Sequence, residues 1–163
     1  MDLFKITRTL ATGFSAVPDR VKSAFEDEFA QDLIKLWEER KRRGQAYVAY
    51  LYSIPVGFCL VEQEGLAKKA TIRGMYVQES FRGKEIGSFL LRSVIQDFGM
   101  KDIWVNISDG AQKFYERFGF EIVGERADLP EEAGKQFVAC KAPEGLETKD
   151  CIAAAKLPKE MFK

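Results

Sequence analysis

Short runs of alternating or continuous apolar residues recur along this chain, interrupted once by a long stretch of helical periodicity. Residues 3–9 (LFKITRT) alternate as a half-buried strand does. ATGFSAVPD then breaks the pattern, with Gly13, Pro18 and a candidate helix cap at Asp19. From Arg20 to Arg43 the apolar residues Val21, Phe25, Phe29, Leu33, Ile34, Leu36 and Trp37 fall three or four apart, which predicts one or two amphipathic helices. Such a stripe usually covers a sheet; it can also shape a pocket. The basic run Arg40-Lys41-Arg42-Arg43 suits a helix C-terminus, and Gly44 is expected to stop the helix. Gln45–Tyr52 and Val56–Glu62 read as strands, and the short link Ser53-Ile54-Pro55 predicts an antiparallel hairpin. A turn beginning at Gln63-Glu64-Gly65 leads to a fourth strand, Ala70–Val77.

The pattern then predicts a helix from Ile86 to Phe98 ended by Gly99, a strand at Lys101–Ile107, and a short helix at Asp109–Phe118. Strands at Phe120–Glu125 and Gln136–Lys141 flank a polar loop, Asp128–Gly134. From Pro143 the chain reads as a tail or a short docking helix. These elements imply a single α+β domain over residues 1–142, with a mixed, mostly antiparallel sheet carrying helices on both faces.

Composition narrows the chemistry more than the fold. A chain of 163 residues supports one substantial core. Lys plus Arg and Asp plus Glu balance at 25 each, so bulk charge favours neither nucleic acid nor a membrane surface. Cys59, Cys140 and Cys151 are widely spaced with no CxxC pair, which suggests no metal site and no disulfide framework. A reduced, cytoplasmic setting fits them. The opening MDLFKITRTL carries too short an apolar run for a signal peptide. There is no histidine, which removes Ser-His-Asp and Cys-His catalysis and His-ligated zinc together.

The stretch MYVQESFRGKEIGSFLL, Met75 to Leu91, places a basic, glycine-flanked turn between a strand and an apolar helix. Backbone N–H groups in such a turn, with the helix N-terminus behind them, make an anion site. A dinucleotide fold would want GxGxxG after the first strand, and a P-loop would want GxxxxGK[ST]; this turn supplies neither.

Downstream lies AQKFYERFGFEIVG, Ala111 to Gly124. The two motifs, in this order and separation, resemble the GNAT superfamily of N-acetyltransferases, clearly from about Ala46 to Gly124. The resemblance implies a GNAT-like sheet splayed between strands 4 and 5, acetyl-CoA as co-substrate and no metal. Arg82 and Gly87 match the ends of the family's turn motif, while Glu85 stands where the family usually has its first glycine. A side chain there needs a different rotation of the turn or must point to solvent. By resemblance, the backbone of Met75, Tyr76 and Val77 lies along the pantetheine arm, and Arg82, Gly83, Lys84, Glu85, Ile86, Gly87 and Ser88 offer N–H groups to the diphosphate. Ser108 stands near a family Asn that bonds the arm, and Phe114 belongs to the cofactor wall. Tyr115 matches the tyrosine that protonates the departing thiolate; the competing reading is an aromatic packed among Phe114, Phe118 and Phe120.

With no histidine, a carboxylate acting directly or through water is the expected base. Glu62 and, second, Glu79 are the candidates, each set against the reading of an ordinary surface residue. Arg73, if it faces the acceptor, favours a carboxylate-bearing substrate. Cys59 reads as a buried, inert thiol rather than an acyl carrier. The function implied is acetyl transfer to a primary amine by direct attack in a ternary complex. The alternative is a CoA-binding module with weak or no turnover that acts through a protein partner. The acceptor is a small-molecule or protein amine, neutral charge weighs against nucleic acid and membrane, and a homodimer is left open.

Overall fold

The structure, a computed structural model, describes residues 4–10, 19–39, 44–63, 69–126, 129, 134–143, 145–147 and 149. Its strands are β1 (Phe4–Leu10), β2 (Gly44–Leu51), β3 (Ile54–Gln63), β4 (Lys69–Val77), β5 (Asp102–Ser108), β6 (Glu121–Glu125) and β7 (Gln136–Lys141). Its helices are α1 (Asp19–Ala24), α2 (Glu28–Glu39), α3 (Ile86–Phe98) and α4 (Gln112–Glu116). The fold is the expected α+β sheet, antiparallel in its β1–β2, β2–β3, β5–β7 and β6–β7 pairings. The chain divides into two compact units: residues 1–67 with 72–97, and residues 68–71 with 98–163.

In the first unit the strands run in the order β1-β2-β3-β4. Alternation along β2 sends Val48 to one face and Tyr47 to the other. On the Val48 side α1 and α2 bury Val21, Phe25, Ala30, Leu33, Ile34 and Trp37 against Phe58, Leu60 and Tyr76. On the Tyr47 side the phenol donates to the Asp97 carboxylate of α3 at 2.6 Å, and Gly57 leaves room for Ile86 and the carbonyl of Tyr76. The α3 stripe Ile86, Leu90, Leu91, Val94 is buried at the i, i+4, i+5, i+8 spacing that lines one helical face.

The long helical stretch is two helices. Asp27 separates them, its carboxylate accepting from Phe29 N–H at 2.9 Å and Ala30 N–H at 3.3 Å. This is N-capping, and it satisfies donors that the first turn of α2 would otherwise leave unpaired. The break rephases the stripe, so Phe29, expected on the apolar face, is 54% exposed. The hairpin link also differs from Ser53-Ile54-Pro55. Tyr52 and Ser53 form it, with φ of 50° and 72°, the two-residue geometry whose twist matches the strands. Ile54 and Pro55 belong to β3, and Pro55 sits opposite the irregularity between Ala49 and Tyr50, where a residue without an N–H is tolerated. Gly44 is the first residue of β2, and the expected helix end before it lies outside the described residues.

The second unit orders its strands β5-β7-β6, with α4 following β5 through a single 3-10 turn at Asp109–Ala111. The expected basic helix end at residues 40–43, most of the 128–134 loop and residues 151–163 of the tail lie outside the described residues.

Gly74 packs directly against the buried Leu33. A Cβ there would lie 2.3 Å from Leu33 Cδ2 and 3.1 Å from Leu33 Cγ, and Leu33 is buried. Gly74→Ala is therefore expected to lose about 1–3 kcal/mol in urea unfolding, and to lose less when combined with Leu33→Ala than the two single changes added.

Candidate functional site

The turn after β4 is built from both sides. Gln78 N–H donates to Val56 O at 2.9 Å, closing the end of β4 onto β3, and a 3-10 turn at Glu79–Phe81 follows. Arg82 then reaches back: its Nε donates to Val77 O at 2.9 Å and its guanidinium lies 5.5 Å from the centre of the Tyr76 ring. One of the backbone groups expected to face the pantetheine arm is thus also an anchor for the turn.

Gly83 and Glu85 both adopt positive φ, 79° and 65°. The turn keeps the left-handed conformation that a glycine would take at residue 85, and the Glu85 side chain is exposed. The misfit is therefore absorbed by backbone strain rather than by a different rotation of the turn, at about 1–2 kcal/mol for a residue with a Cβ. The Glu85 carbonyl accepts from Phe89 N–H at 3.1 Å and starts α3. The N–H groups of Ile86, Gly87 and Ser88 fall in the first turn, where no carbonyl lies one turn earlier. Together with Lys84 and Arg82 they form a donor set suited to a diphosphate: several N–H groups, a helix dipole from thirteen residues and two cations. Ser88 itself is buried. Met75 and Val77 are half-buried, while the Tyr76 side chain belongs to the core, edge-on to Phe25 with ring centres 5.6 Å apart.

At the far end of β3, Glu62 is not an ordinary surface residue. It is 3% exposed, and its Oε2 accepts from Arg73 Nε at 2.8 Å. Taking up a proton would cost Glu62 this charge pairing. The pair lines a small cleft, with room for about one water, together with Leu36, Trp37, Gln45, Leu60 and Val61. Gln45 and Trp37 went unread as site residues; the functional reading of the helical stripe as a pocket wall was the available signal. Glu79 is exposed in its 3-10 turn. Cys59 is fully buried, and burial pushes its thiol up to about 12, so it carries no thiolate at neutral pH.

The second unit holds Ser108, Phe114 and Tyr115. Ser108 is the exposed last residue of β5. Tyr115 is 7% exposed, edge-on to Phe114 at 5.1 Å and to Phe120 at 5.4 Å. Its carbonyl accepts from Phe118 N–H at 3.0 Å and from Phe120 N–H at 3.3 Å. Gly119, at φ 92°, turns the chain from α4 into β6 so that both bonds form. Arg117 lies over the outer face of Phe114, 5.9 Å from its centre. The Tyr115 ring is packed as a core aromatic between Phe114 and Phe120.

A sequence model described as an acetyltransferase (GNAT) domain matches residues 42–122. No match was found among curated protein sequences. Solved structures share the fold. Arabidopsis thaliana Naa50, in complex with the bisubstrate analogue CoA-Ac-MVNAL, is 22% identical with a TM-score of 0.59, over 86% of this chain and 99% of that one. The ribosomal-protein-S18-alanine N-acetyltransferase of Escherichia coli is 17% identical with a TM-score of 0.63, over 88% and 99%. A GNAT family acetyltransferase from Elizabethkingia anophelis with acetyl-CoA bound is 17% identical, also at 0.63, over 87% and 99%.

The left-handed glutamate yields a direct test. Replacing a strained residue by glycine removes about 1–2 kcal/mol of strain and costs about 0.5–1 kcal/mol of chain entropy. Glu85→Gly is therefore expected to leave stability equal or to raise it by up to about 1 kcal/mol, read by urea unfolding.

Proposed function

Because the chain belongs to the GNAT acetyltransferase family, we propose that it moves an acetyl group from acetyl-CoA to a primary amine by direct attack in a ternary complex. The observation that carries this reading is the junction of β4 and α3, a pre-anchored turn with first-turn N–H groups and two cations. When bound, acetyl-CoA supplies an activated acyl carbon: the neutral amine attacks it, a C–N bond forms and the C–S bond breaks. The acetyl-CoA found in the Elizabethkingia structure supports that choice of co-substrate.

The chain's own residues take the following parts. Ile86, Gly87 and Ser88, with Gly83, Lys84, Glu85 and Arg82, receive the diphosphate through their N–H groups and positive charge. The backbone of Met75 to Val77 pairs with the pantetheine amides as an added strand would. Ser108 bonds the arm and Phe114 walls it. Tyr115 gives a proton to the departing sulfur, which stabilises charge as it develops, and regains one from water. The amine proton leaves through water, since Glu62 is engaged by Arg73. The acceptor is a small-molecule or protein amine.

Thermal-shift titration checks the first half: millimolar CoA and desulfo-CoA should each stabilise the protein, and Glu85→Gly should bind CoA equally or more tightly. Absence of stabilisation would remove both this reading and that of a CoA-binding module without turnover. Thiol release from acetyl-CoA checks the second half. Tyr115→Phe should lower kcat by about a hundredfold with CoA affinity unchanged, and a variant as fast as the parent would remove Tyr115 as the acid.

A further inference from the structure

Two neighbouring residues at the end of β4 reach across to the elbow between α1 and α2. The Tyr76 ring lies edge-on to Phe25 at 5.6 Å and tilted against Phe29 at 6.3 Å. Gln78, just past the strand, donates from its carboxamide Nε2 to Ala24 O, the last carbonyl of α1, while its own N–H stays paired with Val56 O at 2.9 Å. Residues two apart on an extended strand present their side chains to one face, so the ring and the amide meet the elbow together. The same Tyr76 ring carries the Arg82 guanidinium, 5.5 Å from its centre.

The elbow depends on such support. α1 has six residues, fewer than the roughly 12–15 that a helix needs to persist alone in water, and the carbonyls at its end find no partner within the helix. Two carboxamides supply them. Gln31 of α2 donates to Phe25 O and, at 3.4 Å, to Lys22 O, closing the elbow on itself. Gln78 brings a bond from the end of β4, 54 residues away in the chain.

We infer that Gln78 is a positioning residue that couples the cofactor strand to this elbow: when CoA is bound, the elbow opens less often. The inference rests on the acetyl-transfer reading, in which the backbone of Met75 to Val77 receives the pantetheine arm, and adds a coupling to it. An arm paired with that backbone restrains Gln78, the next residue. The bond to Ala24 O is then lost less often, and local unfolding of the elbow becomes rarer with no contact between CoA and the elbow being required. The elbow ends in the exposed ring of Phe29, so the coupling steadies an apolar surface beside the arm.

Hydrogen exchange read by mass spectrometry tests this on the full chain, with CoA as the probe. In the parent, saturating CoA should slow exchange at Phe29, Ala30 and Gln31, whose N–H groups bond Asp27, by about fivefold or more, the lower end of coupling between sites. Gln78→Met keeps the length and drops the donor. Because the closed elbow is the dominant state, that variant should bind CoA within about twofold of the parent, yet exchange equally at the elbow with and without CoA. Gln78→Lys returns a donor to Ala24 O and should restore part of the protection. A bond that served stability alone would speed exchange in the free Gln78→Met protein and leave the ratio between CoA-bound and free protein as it is in the parent; that result would overturn the proposal. So would an unprotected elbow in a parent that binds CoA by thermal shift, a measurement that needs no variant to fold. Absence of CoA binding would instead overturn the acetyl-transfer reading, and the coupling with it.

Discussion

The packing of Phe58 among the rings around it holds the first unit together. Its ring lies 5.0 Å from Phe25, 6.1 Å from Trp37 and 6.3 Å from Tyr76, all tilted rather than stacked. Such pairs add about 0.5–1.5 kcal/mol each beyond the area they bury. Their importance lies in what they connect: Phe25 follows α1, Trp37 ends the buried stripe of α2, Phe58 is central in β3 and Tyr76 closes β4. This cluster fixes β4 from one face, and β4 carries Arg73 at its middle and leads into the Arg82–Gly87 turn.

Two electrostatic arrangements are built on that strand and differ in kind. At the turn, partial charges of backbone N–H groups stand beside two cations, Arg82 and Lys84, with Glu85 exposed where water and salt screen it. At Arg73 the charge is paired within the protein, and one member of the pair is withdrawn from water. The first is open to water; the second is closed on itself by the 2.8 Å bond from Arg73 Nε to Glu62 Oε2.

Much of this was legible in the sequence because the relevant signals were local. The apolar stripe bounded by the glycine turn and Gly99 read as Ile86–Phe98, the limits that α3 has, and β7 likewise kept its limits, Gln136–Lys141. The hairpin link was misplaced because Tyr52 and Ser53 take positive φ without the Asn-Gly or Gly signal that marks such turns. Asp27 was passed over as a cap because the apolar spacing continues across it. Glu62 could not be read as buried from its neighbours, since its partner stands eleven residues away on another strand. Glu85 was legible as a departure, but its left-handed conformation depends on how the surrounding turn is anchored.

Arg82 gives that anchoring a wider meaning. By bonding Val77 O and lying on Tyr76, it ties the loop to the protein's own backbone and core. A loop already fixed gives up little chain entropy when a ligand arrives. Were an anion to bind at this turn, the heat of association would be that of charge and water being rearranged around a cradle already tied down, rather than of a segment folding onto its guest.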